Sequence, residues 1–553
     1  MINLFKSISR TEWRFLLILS LGVMALISLP YLYGYFSSPS GYVYDGIGSL
    51  SPADNPIYYS YINQIKSGQY LIKDLFTSEN QTWGMFNAFW FLAGTFAKVF
   101  NLPAPLAFHL LRVILTPFFV LVAYLFIALF FSEIKYRKLA TLLLLFSAGL
   151  GAYFVGPINI LIDVASKRGY WTPNDIWIPE SIAFLSLYKT PHFIASWIFM
   201  ILILLLMYWA WAKDKISYVV GAGLLALVYF NFHPFYIPMI FGTLSLYLFA
   251  LWLKANRILW QKSFYLILFG LICAPSIFYH SWLLRAEPIL ASRAWQNVTL
   301  APPLIFIIIG YGFLWLLGFW GIKKLWQEKK FDDKFILLGC WLAVSLFLVV
   351  LPWQFQSRNT QGLHLPLAIF SVLGLVWFKD WLQYHGYDKK FSFWLGSKFL
   401  LVLTFIVALS MSLVFNVARD LYYFRVQPPE VAEYFYLKKD NLAAIKFLNQ
   451  INDSRAVIAH PANGLFIPVF SHHPVYFAHG IETIDFSSKW LWLVWFFEDN
   501  NHWARKYQFL KQNNIGYIFC SDSERNIGDF SPTNGQFFKE IYSQSGVKIF
   551  QVQ

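Results

Sequence analysis

The chain has 553 residues, of which 58% are hydrophobic, 20% aromatic and only 13% charged. Average soluble domains carry roughly 25% charged residues, so an ordinary soluble enzyme is excluded and a polytopic membrane protein is expected. The net charge of +14 does not mark a nucleic-acid binder, because Lys and Arg sit in short clusters between apolar runs, as the positive-inside rule requires.

The first predicted element, within "MINLFKSISRTEWRFLLILSLGVMALISLPYLYGYF", has a basic flank and about 22 apolar residues without a clear cleavage site, which reads as a retained first span. A helix needs about 20 apolar residues to cross the hydrocarbon layer. On that criterion spans are predicted near 15 to 36, 106 to 131, 140 to 156, 193 to 212, 216 to 232, 235 to 253, 264 to 279, 304 to 322, 335 to 350, 363 to 378 and 399 to 417. That makes about eleven. The stretch "TWGMFNAFWFLAGTFAKVF" is expected to lie in the interface, with Trp83, Trp90 and Lys98 at headgroup level. Only then do Lys6, Arg10 and Arg14 share a side with the later basic clusters.

An odd span count puts the N-terminus in the cytoplasm and the C-terminus outside. Loops 37 to 104, 157 to 191, 281 to 300 and 352 to 362, with the tail from Arg419, are then extracytoplasmic. The expected organisation is a first transmembrane helix (1 to 36), a first extracytoplasmic loop with interfacial helices (37 to 104), a multi-span domain (105 to 418), a linker (419 to 439) and an extracytoplasmic α/β domain (440 to 553). In the last, "DNLAAIKFLNQI" reads as a capped amphipathic helix, and "AVIA", "VYFA", "GYIFC" and "VKIFQV" read as strands. The fold class is thus an all-α polytopic membrane protein with a small C-terminal α/β domain.

An Asp at the centre of a spanning helix costs about 2.5 to 3.5 kcal/mol, which places Asp45, Asp54 and Asp74 in the first outer loop. A solvated loop needs polar residues in any case. The whole order, however, is a first span, then "ADNPIYYSYINQIKSGQYLIKDLFTSE", then an aromatic interfacial helix, then "LPAPLAFHLLRVIL" leading into the second span. This resembles the GT-C superfamily of membrane glycosyltransferases, such as the protein O-mannosyltransferases and aminoarabinose transferases.

The resemblance implies transfer of a sugar from a polyprenyl-phosphate donor to an extracytoplasmic acceptor, with a first-loop carboxylate as base. Asp54 matches that position best, and Asp45 is the other candidate. Asp74 can position an acceptor or a metal, or simply cap a turn. Transfer with inversion needs a base for the acceptor proton, a task suited to a carboxylate. No cofactor is required by the sequence, although a divalent cation is compatible with it. The expected partners are the lipid-linked donor, the bilayer and an acceptor that is protein, lipid or glycan, and not nucleic acid.

Further candidates lie in later outer segments. "WIPESIAFLSLYKTPHFIASW" carries Glu180, Lys189 and His192, and "NFHPFYIP" carries His233 between two spans. Arg358 and His364 lie in "LPWQFQSRNTQGLHLPLAI", where the guanidinium suits a leaving phosphate. Arg293 is a weaker phosphate candidate. His460, His472, His473 and His479, with Glu482 and Asp485, crowd the tail, but their spacing fits no standard ligand pattern and a folded loop is expected. Cys273, Cys340 and Cys520 form no ligand pattern either. P-loop, HExxH and GxSxG strings do not occur. The second function class is a transporter or flippase for a lipid-linked sugar; transporters often show internal repeats and intramembrane charges, and neither is evident here.

Overall fold

A computed structural model describes residues 4–5, 7–155, 172–386, 408–427, 429–532 and 535–553. Among them, eight helices are long and apolar enough to cross a membrane: Arg10–Phe36, Ala104–Phe130, Ile134–Val155, Pro191–Lys213, Pro234–Ala255, Trp260–Ala286, Asp333–Val350 and Ser357–Tyr384. The chain is a multi-pass membrane protein.

Three of the eleven expected spans account for the difference. Ile216–Phe232 is apolar and 17 residues long, one residue shorter than the shortest helix counted, Asp333–Val350. The run from 304 to 322 is broken into Leu304–Tyr311 and Phe313–Gln327, bent by 82°. The break falls at Gly312, whose φ of +46° lies in the left-handed region that favours glycine; counted as one span, the pair raises the total to nine. The span expected from 399 to 417 lies partly outside the described residues.

The chain divides into two compact units. The first comprises residues 1–29, 111–278 and 298–419, and the second 30–110, 279–297 and 420–553. Within the first unit, small residues let helices approach closely. A Cβ on Gly374 would strike the Leu317 carbonyl, and one on Gly321 would strike that of Phe370. Arg112, fully buried, donates to the carbonyls of Ile27 and Tyr188, both at 2.8 Å.

Within the second unit, β1 (Tyr42–Tyr44) pairs antiparallel with β2 (Tyr436–Lys438), tying the segment after the first helix to the chain entering the tail. The tail then forms a four-stranded sheet of order β3-β4-β6-β5, from Ala456–Ile458 (β3), Ile515–Cys520 (β4), Phe538–Gln544 (β5) and Val547–Val552 (β6). Its β3 and β4 are parallel, and the other pairs are antiparallel. β4 is buried at every position, as suits a strand covered on both faces. The core beneath it gathers Phe477, Phe496, Phe497, Phe530 and Phe538.

Two local expectations are corrected. "VYFA" contributes a single bridge, Val457 to Val475, not a strand. The helix expected from Asp440 is Lys439–Leu448, with Lys438 before it and no side-chain cap. Ala88–Val99 is a helix of 12 residues, rising about 18 Å, and Trp90 lies on its packed face. It is buried and stacks on Tyr58 at 4.9 Å, while Trp83 and Lys98 are exposed.

Candidate functional site

The second unit holds the first-loop acids. Asp54 begins the helix Asp54–Lys66. Pro56 lies in its first turn, where the missing N–H costs nothing, and the carboxylate of Asp54 stands at the positive end of the helix dipole. The helix is buried along most of its length, yet the Asp54 side chain keeps 36% of its surface exposed.

Asp54 meets the tail. His479 Nε2 lies 3.3 Å from Asp54 Oδ1, across 425 residues of sequence. Close by, Arg293 Nε contacts Glu482 Oε2 at 2.9 Å, and the Tyr61 hydroxyl donates to the same oxygen at 3.5 Å. The guanidinium lies 6.0 Å from the centre of the Tyr61 ring. Thr483 fixes the turn: its hydroxyl donates to the Phe76 carbonyl at 2.8 Å and accepts the N–H groups of Ala478 and His479. Gln296 donates to the carbonyls of Ile481 and Thr483 and accepts the Asp485 N–H.

Asp74 is buried beside this cluster. Its Oδ1 accepts the Phe76 N–H at 2.9 Å and its own N–H donates to Gln81, while Oδ2 is buried without a hydrogen-bond partner. Burial, then the Glu482 charge, pushes Asp74 up to about 8. Asp45 lies just past β1, also buried with Oδ2 unpartnered, and burial pushes it up to about 7. The next residue, Gly46, presents its carbonyl to His109 Nε2 at 2.8 Å and to the Tyr59 hydroxyl at 3.2 Å. Asp54, Asp74, Glu482, Arg293 and His479 thus form one electrostatic cluster.

These shifts carry a sign. An acid whose folded pKa lies above its unfolded value of about 4 binds its proton more tightly when folded, so stability falls as pH rises towards the folded pKa. The melting temperature is therefore expected to drop between about pH 5 and about pH 8 and to level off above. The slope should flatten in Asp74→Asn and Asp45→Asn; a slope unchanged in both variants, in thermal scans of the detergent-solubilised protein, would contradict the assignment.

In the first unit, Glu180 and Arg358 form a close ion pair, with the Glu180 side chain 3% exposed. The guanidinium lies 5.9 Å from the ring centres of both Phe193 and Phe235. Pro191 opens the helix Pro191–Lys213, where proline is pre-organised; His192 follows it and shares a hydrogen bond between Nδ1 and the Thr190 hydroxyl at 2.6 Å. The His192 and His233 rings lie 5.1 Å apart, edge to face, and His233 Nδ1 is buried without a partner. Lys189 is buried on the preceding turn. His364 is engaged elsewhere: its Nδ1 accepts the Ala183 N–H at 3.1 Å, and its Nε2 lies 3.3 Å from the Ser147 hydroxyl.

The residues that sequence reasoning missed are Tyr61 and, as partners of the first-loop acids, His479 and Glu482. Arg293 serves Glu482. Among the described residues, no group of three or more His, Cys, Asp or Glu side chains is placed to hold a metal ion. The carboxylates instead meet groups of the chain itself: Asp54 meets His479, Glu482 meets Arg293 and Glu180 meets Arg358. The His-rich tail segment is a folded loop in which His473 spans the carbonyls of Arg455 and Leu448, both at 3.1 Å.

No protein-family model matches the sequence, and no curated protein matches it significantly. Solved structures do. The oligosaccharyltransferase of Archaeoglobus fulgidus, tethered to an acceptor peptide containing the NVT sequon, is 13% identical with a TM-score of 0.52 over 91% of this chain and 69% of that one. The same organism's AglB, in complex with an inhibitory peptide and a dolichol-phosphate, is 13% identical with a TM-score of 0.51 over 99% and 75%. ArnT from Cupriavidus metallidurans in the apo state is 12% identical with a TM-score of 0.50 over 96% and 97%. These likenesses show that the chain shares the fold of these structures.

Proposed function

We propose that this chain, built on the GT-C fold, is a membrane glycosyltransferase that moves a sugar from a polyprenyl-phosphate donor to an acceptor outside the cytoplasmic membrane. The observation that carries the reading is the Asp54 carboxylate: it opens a buried helix in the first loop, remains reachable, and is met by a buried imidazole. The dolichol-phosphate bound to AglB supports a lipid-phosphate donor.

In the proposed reaction Asp54 takes the proton of an acceptor hydroxyl or amide as its oxygen or nitrogen attacks the anomeric carbon. The bond from that carbon to the donor phosphate breaks with inversion, and the lipid phosphate leaves with both electrons. Arg358, in the first unit, is proposed separately as a counter-charge for a lipid phosphate, since guanidinium binds phosphate oxygens in pairs. His192, His233 and Lys189 are its proposed neighbours, with Glu180 holding Arg358 between turnovers. The N-terminus is placed in the cytoplasm and the tail outside, on the positive-inside argument.

The test is transfer of radiolabelled sugar from a panel of polyprenyl-phosphate hexoses and pentoses to lipid, glycan and peptide acceptors by purified protein. Transfer by wild type is expected. Movement of the same lipids across proteoliposomes without any transfer would instead indicate a flippase. In Arg358→Ala the donor KM is expected to rise about 10-fold or more; an unchanged KM and kcat would remove Arg358 from the phosphate role.

A further inference from the structure

We propose that His479 is the positioning residue of the first-loop carboxylate: a neutral imidazole donates its Nε2 proton to Asp54, fixing the direction and the acidity of that group. The inference rests on the reading of Asp54 as the base.

The tautomer follows from the backbone. His479 Nδ1 accepts the N–H groups of Ile481 at 3.2 Å and Glu482 at 3.3 Å, so it offers a lone pair and carries no proton. The proton of the neutral ring then belongs to Nε2, which faces Asp54 Oδ1 at 3.3 Å. Burial disfavours a second ring proton, and Asp54, Glu482 and Asp74 together favour one. That proton would have to sit on Nδ1, against two N–H groups already directed there, and the geometry therefore keeps the ring neutral.

The ring has little freedom to turn away. Its side chain is 8% exposed, against 36% for Asp54, so the donor is held from the buried side while the carboxylate remains reachable. The turn beneath is clamped by Thr483 to Phe76 and by Gln296 to residues 481, 483 and 485. The charged and titratable groups around the pair include Glu482, Asp74, Arg293 and Tyr61. Arg293 offsets Glu482, and the upward shift of Asp74 lets it keep its proton near neutrality. Asp54 is the acid of this cluster that is both reachable and supplied with an imidazole donor.

A lost donor makes a carboxylate hold its proton more tightly. Steady-state kinetics against pH, on full-length wild type, His479→Ala, His479→Gln and Asp54→Asn with the polyprenyl-phosphate hexose that wild type turns over, tests the inference. For His479→Ala, kcat is expected to fall about 10- to 100-fold, with donor KM unchanged and the acid limb of the profile moved to higher pH. His479→Gln, whose amide nitrogen reaches the place of Nε2, is expected to restore most of both.

An acid limb that stays in place in His479→Ala, or no rescue by a His479→Gln protein that melts like wild type, overturns the inference while an inactive Asp54→Asn keeps the base reading standing. Wild-type transfer by Asp54→Asn overturns both.

Discussion

Asp54→Asn is expected to lower transfer by about 10²- to 10⁴-fold, the usual contribution of a positioned general base, while leaving insertion and melting close to wild type. The asparagine keeps the size of the side chain and can still accept from His479 Nε2 through its amide oxygen. What it loses is the capacity to take a proton. The loss should fall on kcat, since the interaction with the acceptor proton develops only in the transition state. Transfer assays on purified protein, with donor KM measured separately, check this. Near-wild-type turnover would shift the assignment to Asp45, the other first-loop acid near the end of β1, although burial there pushes the carboxyl up to about 7.

Arg293→Ala is expected to be the most destabilising single change around this site. The two side chains of the pair are 20% and 12% exposed, and removing the guanidinium leaves Glu482 and Asp74 facing each other without their cation. Breaking such a pair costs about 3 kcal/mol, visible as a clear drop in melting temperature. Arg293→Lys is expected to recover part of it, because an ammonium restores charge but not the planar contact with the Tyr61 ring. In the double variant Arg293→Ala with Glu482→Gln the loss should be smaller than the sum of the two singles, since the unpaired charge is gone. Strict additivity in thermal unfolding would show that the two side chains do not share one energetic unit.

Much of the membrane part was legible because hydropathy reports directly on burial in lipid. Arg10–Phe36, Ala104–Phe130 and Pro191–Lys213 lie close to where apolar runs place them. Leu304–Tyr311 and Phe313–Gln327 show the limit: composition reads a continuous apolar run, while the 82° bend comes from one backbone conformation at Gly312. β5 was invisible for a related reason. "FKEIYSQ" is an edge strand whose Lys539 and Glu540 face solvent, so it lacks the apolar alternation that marks a half-buried strand.

At the candidate site, the sequence shows which segment carries the acids but not what meets them. A Tyr-bearing helix after the first span is readable from "DNPIYYSYINQIK". His479 sits in a group of histidines with no ligand spacing, and nothing local signals that this one reaches Asp54 from 425 residues away. Arg293 looks like any basic residue of an outer loop until the fold sets it on Glu482. Such pairings are products of tertiary structure, and no periodicity or short motif encodes them.

The most direct measurement is the anomeric configuration of the sugar product, read by NMR after transfer from a polyprenyl-phosphate donor of defined configuration by purified wild-type protein. Direct displacement by an acceptor deprotonated at Asp54 is expected to give the inverted anomer, with release of one polyprenyl phosphate for each sugar transferred. A retained configuration would require a second displacement through a covalent intermediate, and would contradict Asp54 acting as the base of a single in-line step.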